Sequence, residues 1–130
     1  MSPPIRCYQD LKVWKAGMIL ASLCYQITRR FPHDERYGLT AQIRRAAASV
    51  PANIAEGHGR LHPGDYLRFL SAAIGSLREL ETEVLLAKQL GYVANGDGNQ
   101  IFQLADEVGR MLGSLTRTLR TNSPPLAPGP

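Results

Sequence analysis

At 130 residues the chain has room for one domain built on one core. It is 44% hydrophobic and 20% charged, which excludes a disordered or fibrous chain, and its scarcity of aromatic and β-branched runs argues against a sheet. The net charge of +4, with Arg supplying 12 of 15 basic residues, favours nucleic acid or anionic surfaces as partners without establishing one. Cys7 and Cys24 fit no metal spacing and are too few for a disulfide scaffold, so a reducing cytoplasm is the expected compartment. The longest apolar run, Ala16 to Tyr25, is too short for a bilayer and is followed by no cleavage site. It reads as a buried helix, and no membrane partner is expected.

Residues 1–9, with Pro3-Pro4, read as a loose leader. Asp10 is the expected N-cap of a first helix, whose stripe is Val13, Ala16, Leu20, Leu23 and Ile27. Phe31-Pro32 ends it, because the residue before proline is pushed out of the α region. A second helix starts near Leu39 and carries Leu39, Ile43, Ala46, Val50, Asn53, Gly57 and Arg60 on one stripe, with a kink expected at Pro51. Pro63 and Asp65 suit the first turn of a third helix, striped by Tyr66, Leu70, Ala73, Leu77, Leu80, Val84 and Ala87 and closed by a glycine cap at Gly91. Asn95-Gly96-Asp97-Gly98 reads as a turn. The fourth helix then carries Ile101, Leu104, Val108, Met111, Leu115 and Thr118 on its inner stripe. Residues 122–130 hold four prolines and read as a disordered tail. The expected fold is all-α: an antiparallel up-down-up-down four-helix bundle over residues 10–121.

Few residues invite chemistry. Asn53 on the apolar stripe must be hydrogen-bonded if buried, and such a residue can set register or a subunit contact. Glu56 and Arg60 lie one turn apart, with no nucleophile or histidine to make Glu56 a general base. His58 and His62 have a spacing that two metal ligands can use, but Gly59 and Pro63 end the helix there and no third ligand follows. No catalytic residue, metal or cofactor is therefore expected. Ser49 and Ser76 sit among alanine and glycine, which points to close helix packing. Arg44 and Arg45 suit phosphate. A turn centred near residue 62, however, sets Glu79 and Glu81 level with Arg45 and Ile43, so intramolecular ion pairs with Glu79 and Glu81 are the favoured reading. Trp14 lies beside the first stripe and not on it, which assigns it to a subunit interface ahead of base stacking.

Several segments are unusual in combination: Glu35-Arg36-Tyr37-Gly38-Leu39, Gln42-Ile43-Arg44-Arg45-Ala46-Ala47, Ser49-Val50-Pro51-Ala52-Asn53-Ile54-Ala55-Glu56-Gly57, Glu79-Leu80-Glu81-Thr82 and Leu90-Gly91-Tyr92. With Val13-Trp14 before them, they make the chain resemble the four-helix-bundle proteins of the 23S rRNA-intervening-sequence family over roughly residues 8–119. The resemblance implies a bacterial, ring-like homopentamer. It also implies a distant likeness to the accessory determinant of diversity-generating retroelements, a basic pentamer that engages nucleic acid and a reverse transcriptase. The expected function is that of a non-enzymatic oligomeric subunit that binds RNA or DNA or serves a nucleoprotein. Arg29, Arg30, Arg110, Arg117 and Arg120 are its candidate phosphate contacts, with Arg110 the weakest because Asp106 precedes it by four residues. The competing expectation is a protein-protein scaffold without a nucleic-acid role.

Overall fold

The computed structural model describes residues 4–122, and the described residues form four helices: α1 (Lys12–Thr28), α2 (Leu39–His58), α3 (Pro63–Gln89) and α4 (Asn95–Asn122). Single 3-10 turns at Tyr8–Asp10 and His33–Glu35 precede α1 and α2. Consecutive helices pack side by side, and α4 returns to pack on α1. They run antiparallel. Arg44 of α2 reaches Thr28 at the end of α1, Ser49 meets Ser76 across α2 and α3, and Arg30 meets Asp97 at the start of α4. The expected all-α four-helix fold is the observed one. No helix is long and apolar enough to cross a membrane among the described residues.

The inner stripe of α3 is as the spacing predicts: Leu70, Ala73, Leu77, Leu80, Val84 and Ala87 are fully buried. In α1 the stripe is right as far as Leu20, after which Cys24 and Thr28 face the core and Leu23 and Ile27 are only half-buried. A helix of 3.6 residues per turn drifts against a strict seven-residue repeat, so the core-facing positions move along by one. In α4 the buried set is Ile101, Ala105, Val108 and Leu112, while Leu104, Met111 and Leu115 lie at the edge and Thr118 is exposed. A β-carbon on Gly109 would stand 3.4 Å from Leu77 Cδ2, which sets this stretch of α4 against α3.

Two helix starts differ from the expectation. Asp10 does not cap α1, whose N-cap is Leu11. Its carboxylate accepts instead from the backbone N–H of Arg6 (2.9 Å) and of Cys7 (3.3 Å), closing the 3-10 turn. The Arg6 bond foremost, opposed by some desolvation, holds that carboxyl below the usual range. The leader therefore has order at its inner end, where the Tyr8 ring packs edge-on against Trp14 at 5.3 Å. Asn95 to Gly98 is the first turn of α4, not a connecting turn. Asp97 suits the positive helix start, and Gly98 is buried, where an added β-carbon would make an ordinary contact of 3.6 Å with Val93 Cγ1. The glycine cap of α3 is as expected: Gly91 has φ 81°, and Tyr92 N–H donates to the Ala87 carbonyl at 2.9 Å. α2 runs unbroken through Pro51, which is buried against Gly17 of α1. Residues 123–130 of the expected tail lie outside the described residues.

Candidate assembly face and basic surface

α2 packs on α1 along one edge and on α3 along the other, and each edge carries a different chemistry. On the α1 side the two helices leave an open groove of about 540 Å³. Its floor is small: Ala21 of α1 with Ala48, Pro51, Ala52 and Ala55 of α2. Its rim is large and apolar: Tyr8, Trp14, Met18 and Tyr25. Met18 is 43% exposed and Tyr25 is 41% exposed, so hydrophobic surface is left open to water. No acidic residue lines the groove, and Arg29 is its one charged group. Trp14 is half-buried, packed against the edge of the core and lining this groove. The alanine floor went unread in the sequence, although Ala48, Ala52 and Ala55 recur at 4-3 spacing off the core stripe of α2.

The expected pairing of Arg44 and Arg45 with Glu79 and Glu81 is corrected. Arg44 turns to α1: its Nε donates to Thr28 Oγ1 at 2.8 Å, and its guanidinium stacks on the Tyr25 ring at 4.9 Å. Thr28 is itself buried and donates back to the Cys24 carbonyl at 2.9 Å, so Arg44 straps α2 to the last turn of α1. Glu81 is taken by Arg78 on its own helix. No ion pair joins Arg45 or Glu79 to any acid or base among the described residues.

The α2–α3 edge is instead a narrow polar seam. Ser49 and Ser76 share a hydrogen bond of 2.8 Å, and the Asn53 amide donates to the Ser49 carbonyl (2.8 Å) and hydroxyl (2.9 Å). Asn53 is thus satisfied within its own helix, through Ser49. Further along, Glu83 of α3 is buried, a residue the sequence reading passed over. The signal was present in a carboxylate set directly beside the core residues Leu80 and Val84.

Glu56 pairs with Arg60 at 2.8 Å on the surface, and Arg60 stacks on Phe69 at 4.9 Å. His62 caps α3, its Nδ1 accepting from Gly64 N–H at 3.0 Å, while His58 packs edge-on against Tyr66. The two histidines therefore have separate tasks. No group of three His, Cys, Asp or Glu side chains suited to a metal forms among the described residues.

The five candidate phosphate-binding arginines do not share one patch. Arg29 and Arg30 sit past the end of α1, where Arg30 lies 3.7 Å from Asp97. Arg110 is paired with Asp106 at 3.4 Å. Arg117 and Arg120 are exposed in the last turns of α4, with no acid at ion-pair distance among the described residues. At about 1.5 Å per residue, Arg117 is about 30 Å along α4 from the Arg30–Asp97 contact. The antiparallel order puts Lys12 and Lys15, at the start of α1, at the same end of the bundle as Arg117 and Arg120.

A structure of a protein of unknown function from the S23 ribosomal protein family of Bacteroides thetaiotaomicron matches this fold. Its TM-score is 0.75 at 20% identity, covering 81% of this chain and 95% of that one. No curated protein matches the chain in sequence. The model of the 23S rRNA-intervening sequence protein family matches residues 9–114, the whole bundle up to the last turns of α4, and the chain belongs to that family.

Proposed function

We propose that this chain is a non-enzymatic, cytoplasmic subunit that assembles with copies of itself, as a pentameric ring, and presents a basic end to the phosphates of RNA or DNA. The α1–α2 groove carries the reading. An alanine floor under an aromatic rim, open to water and free of acids, is the kind of surface that a protein–protein contact covers. Lys12, Lys15, Arg117 and Arg120 share one end of the bundle, and a pentamer repeats the +4 charge of each chain five times around one axis. Glu56, His58 and His62, the residues closest to a catalytic pattern, each serve a structural contact, which supports a binding role over a chemical one.

The test pairs oligomer mass with a salt series. Native mass is measured for the parent chain and for Ala52→Glu, which places a charge on the groove floor, where Ala52 is exposed in the single chain. The parent is expected as one large species and the variant as a monomer. Binding to structured RNA and duplex DNA is expected to weaken steeply with salt, and the double variant Arg117→Glu, Arg120→Glu to lose about tenfold or more at low salt. A parent chain that stays monomeric refutes the assembly. An assembled chain that binds neither nucleic acid at low salt refutes the phosphate role. That outcome would leave the scaffold reading, which the exposed Leu85 and Leu86 of α3 and Leu90 just past its end favour as a surface for another protein.

A further inference from the structure

Glu83 stands apart from every other acid in the bundle. It is 8% exposed, and its Oε1 is sealed from water with no donor in reach. It sits on α3 at the seam with α2, above the Ser49–Ser76 bond. Two charged groups act on it: Glu79, one turn earlier on α3, and Arg45 on α2. Glu79 repels the ionised form, and Arg45 favours it from beyond ion-pair distance. A buried carboxylate with an orphaned oxygen is poorly placed when charged and much less so when neutral.

We propose that Glu83 makes the α2–α3 seam proton-sensitive, closing it firmly when the carboxyl is protonated and loosening it when the carboxyl ionises. Burial, then Glu79, raise the carboxyl above its ordinary 4.5 in the folded chain, with Arg45 opposing them. A group with a raised folded value adds stability that is fully present below the unfolded value and is lost as pH rises through the folded one. Each unit of that rise is about a tenfold change in the folding equilibrium. The consequence reaches the groove. Ala48, Pro51, Ala52 and Ala55, which line it, stand on α2, and α2 is held from behind by this seam. Acidification therefore stiffens the helix that carries the assembly face. This inference does not depend on what the groove binds.

The experiment compares thermal unfolding of the full chain and of Glu83→Gln at about pH 4, below the ordinary carboxyl value, and at about pH 8. Glutamine keeps the shape and removes the charge. The variant is expected to unfold several degrees above the parent at the higher pH and within about a degree of it at the lower. Amides of α2 facing α3 are expected to exchange more slowly in the variant at the higher pH. An offset between variant and parent that is the same at both values overturns the proposal, since packing alone would then explain it. Carboxyl NMR of the parent chain stands independently of the variant: a Glu83 midpoint at or below that of an ordinary glutamate also overturns it.

Discussion

Gly57 and Gly75 both lie inside helices, and replacing each by alanine should move stability in opposite directions. Alanine is the better helix former by about 1 kcal/mol, so propensity alone favours both changes. At Gly75 nothing stands within 4 Å of an added β-carbon, so the propensity gain of about 0.5–1 kcal/mol is realised. At Gly57 the same carbon would fall 2.8 Å from Phe69 Cβ and 3.1 Å from Tyr66 Cδ1. Phe69 Cβ is tied to the α3 backbone and cannot rotate away, so α2 and α3 must part. Overpacking of this kind costs about 1–3 kcal/mol, which exceeds the propensity gain and leaves Gly57→Ala destabilised by about 1 kcal/mol. For a domain of this length each kcal/mol moves the unfolding temperature by about 3–5 °C. Circular dichroism melts should place Gly57→Ala about 3–5 °C below the parent and Gly75→Ala about 2–4 °C above it. A Gly57→Ala variant as stable as the parent would refute the close crossing of α2 and α3, and the seam geometry with it.

The two thiols should behave differently. Burial pushes the Cys24 thiol up to about 12 from its ordinary 9.0, which cuts its thiolate fraction at mildly alkaline pH about a thousandfold. A chromogenic disulfide reagent should therefore titrate Cys7 alone in the folded chain and both thiols in denaturant; rapid labelling of Cys24 in the native state would contradict its burial. Leu77→Ala, at a fully buried position where α4 crosses α3, should cost about 2–5 kcal/mol in urea unfolding. A loss below about 1 kcal/mol would mean that the α3–α4 contact is not packed as described.

The sequence exposed the fold where one physical signal dominated. The third helix reads cleanly because Leu70, Ala73, Leu77, Leu80, Val84 and Ala87 keep one unbroken spacing and are all fully buried, and Gly91 needs a backbone that alanine resists. The fourth helix reads less cleanly because its inner face mixes Ala105 with Val108 and Leu112. Size then misleads: the larger side chains favour Leu104 and Met111, whereas Ala105 and Leu112 are the buried positions. Asn95-Gly96-Asp97-Gly98 has the composition of a turn, yet polar and small residues also suit a helix start, and a single sequence does not separate the two. For the site, register was nearly right and partner choice was wrong. Arg45 does fall near the acids of α3, but the acid set inward is Glu83, and Arg44 points to the opposite edge of its helix. Which flank of a helix a charged residue occupies depends on where the neighbours sit, and that is a tertiary fact.

The density of the segment Ser49 to Gly57 follows from α2 presenting three different faces at once. Val50 and Ile54 face the core and are fully buried. Ser49 and Asn53 serve the seam with α3 through hydrogen bonds, and Gly57 lets that helix cross at close range. Pro51, Ala52 and Ala55 look the other way, Pro51 against Gly17 and all three onto the groove. A helix on the surface of a bundle needs only one apolar stripe and tolerates long polar side chains elsewhere. This stretch carries a long side chain only at Glu56, which points to water and pairs with Arg60. The small residues on the groove side are what an uncovered surface does not require. Their presence there, with Trp14 and Tyr25 on the same groove, supports the proposed role of the groove as a contact surface.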